Sequence, residues 1–197
     1  SKIHKEILKK STNYKFLQNQ INENGVQTIE NTNLDLFTFL IKIIISQQIS
    51  DLVAKKIWNK FCFLTNSMNP TIKNIKSKND LLRIFENLGV SERKKNYIFN
   101  IYDLIIKKKI SNIIHLPENI IRDKLKKIQG IGNWSCDMVM IFFCMNQNIL
   151  PENDLIVNKT LKKICLEEKK KINFKKSFSP YLSIFSIHLW KMSKRIL

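Results

Sequence analysis

Leu125-Lys126-Lys127-Ile128-Gln129-Gly130-Ile131-Gly132-Asn133-Trp134 is the stretch whose spacing organises its surroundings. Leu125 and Ile128 fall on one face of a helix that ends here, and a second helix starts at once after Gly132. Gly130-Ile131-Gly132 makes the tight turn between them. Its two glycines permit positive φ and lack the Cβ atoms that would block close approach. The amides of the turn and of the next helix N-terminus then point outward together, a site for an anion such as a DNA phosphate. Ile131 faces inward and locks the two helices. The same residues serve equally as an ordinary αα-hairpin with a glycine C-cap.

Outward from the hairpin, the periodicity is helical. Leu36 to Ile45 is apolar almost all round, which suits a helix buried in a bundle. Val53, Ala54, Ile57, Trp58 and Phe61 form one face of a helix starting near Ser50. Ser91 caps a helix through Lys108, and Pro117 opens another carrying Ile121, Leu125 and Ile128 inward. The helix after Gly132 is expected to reach about Met145. Asp154 caps the next, and Pro180 stands in the first turn of the last, which runs to about Lys194. With four glycines and four prolines, the chain is too poor in turn residues for a many-stranded β protein. Nine or ten helices and no strand are expected, hence an all-α fold. No break is long enough for a linker, so residues 1–197 read as a single domain with a central bundle at about 49–159. The N-terminal helices and the last helix would complete a second lobe.

The net charge is +18, from 34 Lys and Arg against 16 Asp and Glu, which favours a polyanionic partner and nucleic acid before membrane. Lys, Asn and Ile are over-used together, the pattern of an A- and T-rich coding sequence, so about half of that excess carries no message about partners. Cys62, Cys136, Cys144 and Cys165 make no CxxC pair and no zinc spacing; they read as reduced thiols of an intracellular protein. No apolar stretch approaches a membrane span, and no signal-peptide pattern is seen.

The set Ile128-x-Gly130-Ile131-Gly132-x-Trp134, followed by Asp154-Leu155, resembles the helix–hairpin–helix DNA glycosylase superfamily, in its alkylation-repair branch of 3-methyladenine glycosylases. Ile45-Ser46-Gln47-Gln48-Ile49-Ser50 with Ala54 and Trp58 is similar to that branch's QQxS element. Leu88-Gly89-Val90-Ser91 with Lys94 resembles its next turn, and Ser179-Pro180-Tyr181 with Leu189-Trp190 its final helix. The resemblance runs from about residue 30 to 195. It implies a two-lobed helical bundle with a cleft between the lobes, a monomer acting on damaged double-stranded DNA, and a place beside the genome in cytoplasm or nucleus.

The resemblance makes Asp154 the catalytic carboxylate. A glycosidic bond breaks through an oxocarbenium-like state, which a nearby carboxylate stabilises while orienting the attacking water. An Asp there also serves as a helix N-cap, and the two roles are compatible. Glu152 and Asp137 are the neighbouring alternatives, the latter facing solvent or a basic neighbour. The resemblance places Trp134, Met138 and Tyr181 around the base, where aromatic faces attract the positive charge of an N3- or N7-methylated purine. Trp134 and Met138 would equally suit a core. Gln48 matches the side chain inserted into the stack when the nucleotide is rotated out, or is a helix-terminal Gln bonded to backbone. The hairpin, Gly130 to Asn133 through Ile131 and Gly132, would hold phosphate. Leu182 departs from the pattern, because relatives often carry Arg after the Pro-aromatic pair.

Lyase members of the superfamily place a lysine near the start of the helix after the hairpin; Trp134 and Ser135 stand there, which implies a monofunctional enzyme. No cysteine follows Cys165, so the four-cysteine iron–sulfur cluster of another branch is not expected. His4, His115 and His188 are scattered and suggest no catalytic metal. No cofactor is expected beyond a monovalent cation that the resemblance allows at the hairpin carbonyls. Two rival functions stay open: a glycosylase of this fold for a deaminated or oxidised base, and a non-catalytic module that uses the hairpin to bind DNA.

Overall fold

The computed structural model describes residues 2–110 and 113–197. Among them the chain forms eleven α-helices, three shorter helical segments and no strand, as the all-α expectation requires. The helices are α1 (Lys2–Lys10), α2 (Lys15–Asn24), α3 (Leu36–Ser46), α4 (Asp51–Leu64), α5 (Lys78–Glu86) and α6 (Glu92–Ile106). They continue as α7 (Glu118–Lys126), α8 (Asn133–Met138), α9 (Leu155–Glu167), α10 (Phe174–Phe178) and α11 (Leu182–Ile196).

The chain divides into two compact units, one of residues 32–139 and one that joins residues 1–31 to 140–197. These bounds differ from the bundle expected at about 49–159. In the 32–139 unit the cause is α3, in which 9 of 11 residues are buried. A helix buried nearly all round needs neighbours on several sides, and α3 packs on both α4 and α6. Asp35 fixes its start, with Oδ1 accepting from the Thr38 amide at 2.9 Å and Oδ2 from the Ile72 amide at 2.6 Å. Ser50 and Ser91 cap α4 and α6 as expected, each accepting from an amide three residues on. On α4, Phe61 is fully buried, whereas Val53, assigned inward by periodicity, lies exposed beside Leu52.

The other unit is built from both ends of the chain. α11 packs on α9, α2 and α10, and α1 packs on α2 and α10. Phe178 and Phe185 stack at 4.0 Å between ring centroids, over a core that includes Ile7, Leu17, Ile21, Val157 and Ile164. Polar bonds tie the distant segments. The Leu17 amide donates to a Glu168 carboxylate oxygen at 3.0 Å, and Asn24 Nδ2 donates to the His188 carbonyl at 2.9 Å and to His188 Nδ1 at 3.1 Å. His188 is fully buried, and burial lowers its pKa to about 4, with His4 and Lys191 adding repulsion.

Two local expectations change. The helix after Gly132 does not run on as one α-helix: α8 gives way to a π-helical segment at Val139–Phe143. Pro180 lies before the last helix, in a cis bond after Ser179, and Tyr181 is the N-cap of α11.

Candidate active site

In the 32–139 unit the hairpin joins α7 to α8. Leu125, Ile128 and Ile131 are all buried, so Ile131 does face inward, and its amide donates to the Ile128 carbonyl at 3.0 Å. The two glycines do different work. Gly130 has φ +90°, and a Cβ there would stand 2.3 Å from Cδ2 of Tyr97 on α6. Backbone and ring both exclude a side chain. Gly132 has φ −101° and ψ −171°, ordinary extended backbone, with no protein atom within 4 Å of a Cβ placed on it. Nothing within the protein demands glycine at 132. Gly132 is the N-cap of α8 and supplies no side-chain cap, and both it and Asn133 are exposed.

Beyond the hairpin, Trp134 is half-buried and Met138 is buried on α8. Asp137, on the same helix, is buried against Arg122 of α7, whose Nη1 lies 2.8 Å from Asp137 Oδ1 while Nε lies 2.8 Å from Glu118. These carboxylates hold the guanidinium above the usual arginine value against the opposing cost of its burial. Asp137 therefore meets the basic neighbour expected of it and is committed to an ion pair. The sequence did not reveal which cation.

The turn between α3 and α4 carries Gln48. Gln47 has φ −61° and ψ 131°, and the exposed Gln48 has φ 59°. That succession is type II-like, with a glutamine where such turns favour glycine. A side chain in the left-handed region costs about 1–2 kcal/mol and persists only where surrounding bonds fix it. Those bonds come from residues to which sequence reasoning gave no role. Gln47 Nε2 donates to the Gly130 carbonyl at 2.8 Å and to Ser135 Oγ at 3.1 Å. Lys94 Nζ donates to the carbonyls of Ile45 and Gln47, each at 2.8 Å. Burial holds the Lys94 ammonium below the ordinary lysine value, and Arg93 adds to the effect.

The other unit carries Asp154 and Tyr181. Asp154 is only 8% exposed, and its Oδ1 accepts from the Val157 amide at 2.8 Å, so it is the N-cap of α9. Leu155, next in the chain, is largely exposed, so the carboxylate stands where the helix reaches the surface of its unit. Glu152 is exposed and paired with Lys175 at 2.7 Å, a surface ion pair. Among the described residues, Asp137 and Asp154 are the buried carboxylates, and only the latter caps a helix. Tyr181 is half-buried, and its amide donates to the Phe178 carbonyl at 2.8 Å. No cluster of metal-binding side chains occurs among the described residues. No helix among them is long and apolar enough to cross a membrane.

Residues 41–180 match the HhH-GPD superfamily, described as base excision DNA repair proteins. An alkylbase DNA glycosidase-like protein of Schizosaccharomyces pombe is 29% identical over 79% of this chain and 76% of its own length. DNA-3-methyladenine glycosylase 1 of the same yeast is 27% identical over 79% of this chain and 71% of its own. Among solved structures, the S. pombe 3-methyladenine DNA glycosylase in complex with abasic DNA superposes with a TM-score of 0.80 at 23% identity, covering 98% of this chain and 97% of that one.

Proposed function

This chain belongs to the HhH-GPD superfamily of base excision DNA repair proteins, and from that premise we propose that it hydrolyses the N-glycosidic bond of alkylated purines in duplex DNA. The observation that carries the chemical part is the buried carboxylate of Asp154, fixed by its bond to the Val157 amide. As the glycosidic bond breaks, positive charge grows on the sugar. A carboxylate already desolvated and oriented stabilises that charge without reorganising, and its oxygen draws the attacking water toward the anomeric carbon. The bond that breaks is carbon to base nitrogen, and the base leaves with the electron pair. The water oxygen then bonds the anomeric carbon as a hydroxyl and gives up its proton, which the Asp154 carboxylate accepts on its way to solvent.

An N3- or N7-methylated purine is cationic and departs as a neutral base, so it needs no strong acid to protonate it. Trp134 and Tyr181 offer aromatic faces suited to such a cation, and Met138 an apolar wall. The nucleotide leaves the duplex before reaction, at a cost of about a few kcal/mol, and Gln48 fills the gap it leaves. Gly132 and Asn133 are exposed, and no protein atom crowds position 132, so the hairpin receives a backbone phosphate. A monovalent cation shared by hairpin carbonyls and that phosphate fits the same scheme. With Trp134 and Ser135 at the start of α8 in place of a lysine, the sugar is not captured as a Schiff base and the strand is not cut.

The test is to incubate methylated duplex DNA with the protein and identify the freed bases by mass spectrometry. Release of 3-methyladenine or 7-methylguanine without strand cleavage is expected. Release of only deaminated or oxidised bases from a panel of single-lesion duplexes would redirect the substrate assignment. Salt-sensitive binding with no release would leave a DNA-binding module alone.

A further inference from the structure

Resting on the glycosylase reading, we infer that Gln47 and Lys94 are positioning residues that join the turn bearing Gln48 to the phosphate hairpin, so that gripping the backbone and filling the stack become one event. The argument starts from an unfavourable backbone. Gln48 has φ 59° at the exposed end of its turn, where glycine would be easier. Nothing in the local sequence holds it there.

Two long-range contacts do. From one side Lys94 reaches the carbonyl of Ile45, in the last turn of α3, and that of its C-cap Gln47, at 2.8 Å each, an ammonium at a helix C-terminus. From the other, the Gln47 amide group spans to the Gly130 carbonyl at 2.8 Å and Ser135 Oγ at 3.1 Å. Gly130 is the hairpin residue with φ +90° that sits against the ring of Tyr97. Lys94 and Tyr97 stand one turn apart on α6, so that helix supports the turn through one residue and the hairpin through the other. The left-handed residue and the hairpin thus lean on a common abutment, with Gln47 bonded across them. A shift of the hairpin on meeting phosphate is carried to the backbone of Gln48 through hydrogen bonds whose donors are amide and ammonium groups.

The test uses Gln47→Ala and Lys94→Met, each in the native background and in Gln48→Ala. The first readout is hydrogen exchange in the free protein. The amides of residues 47–50 exchange about tenfold faster in each variant, as expected for losing a hydrogen bond, while the interior of α3 is unchanged. The second is single-turnover base release from a methylated duplex. Each single variant slows release about tenfold, whereas in the Gln48→Ala background the same changes slow it by less than about twofold. Lys94→Arg, which keeps a cation with several donors, restores much of the rate. Unaltered exchange at 47–50, or losses that multiply in the Gln48→Ala background, overturns the inference. Native protein that binds duplex yet frees no base would sink the glycosylase reading alone, and exchange at 47–50 would still decide the brace.

Discussion

The N-terminus of α9 is closed by its own side chain, Asp154, whereas that of α8 begins at Gly132 with no side-chain cap. Both helices start with the same problem, backbone amides that have no carbonyl one turn back. A carboxylate solves it internally. The amide of Val157 takes Asp154 Oδ1, which orients the carboxylate and spends that amide on it. Gly132, with no side chain, contributes no such internal cap to α8. On the proposed reading, one helix end holds an anion as part of the chain and the other receives one from the DNA backbone.

The largest effect expected from breaking this contrast is at Asp154. Asn caps a helix as well as Asp does, so Asp154→Asn keeps the fold while losing the charge. Base release should fall by about a hundredfold or more, with the melting temperature little changed. Asp154→Ala should lose the same activity and a further ~1 kcal/mol of stability. An Asn variant that works at the native rate would remove the catalytic role.

Next come the glycines. Gly130→Ala must push its Cβ into Tyr97 at a positive φ, and a cost of about 2–4 kcal/mol is expected by denaturant titration. Gly132→Ala has room and ordinary backbone, so its stability should move by less than about 1 kcal/mol. Its affinity for duplex DNA should nonetheless fall, because the new methyl group stands where a phosphate would approach. Equal effects of the two substitutions on stability would erase the distinction between them.

The pH dependence of stability in this unit should reflect His188, which is fully buried. Its folded pKa, about 4, lies below the ordinary 6.5. The neutral ring is therefore favoured by the fold, and nothing is lost above pH 6.5. As pH falls from 6.5 towards 4, the unfolded chain takes up the proton first. About 2 kcal/mol of stability should disappear between pH 7 and pH 5. His188→Leu should flatten that decline in a chemical-denaturation series. The smallest effect is at the α3–α4 turn, where Gln48→Gly relieves the left-handed side chain and should raise stability by about 1 kcal/mol while slowing base release.

Much of this was readable before any coordinates, and the reason is distance along the chain. Ser50, Ser91 and Asp154 each bond an amide three residues on, so the cap and its target sit in one short window. Gly130, Ile131 and Gly132 are likewise a local pattern. What could not be read depends on partners far away in sequence. Gln47 meets Gly130 across 83 residues, and Lys94 meets Gln47 across 47, and no spacing rule announces either. The Arg122–Asp137 pair was half foreseen, as a carboxylate seeking a cation, but many cations were available in so basic a chain. Periodicity also misjudged Val53, because an amphipathic stripe gives a face its direction without saying how far along it the neighbour extends. Gly132 was expected to share the conformational reason of Gly130, and only its torsions separate the two.

The joining of residues 1–31 to 140–197 in one unit has a consequence for synthesis. α1 and α2 leave the ribosome long before the segments they cover, and the apolar surface that buries Ile7, Leu17 and Ile21 is complete only when Val157 and Ile164 of α9 and Phe174, Phe178 and Phe185 have emerged. The 32–139 stretch, translated in between, already contains its own helices and core. The 32–139 segment can thus pack while α1 and α2 still await α9 to α11, and a message cut short upstream of α9 leaves their apolar surface bare to chaperones and proteases.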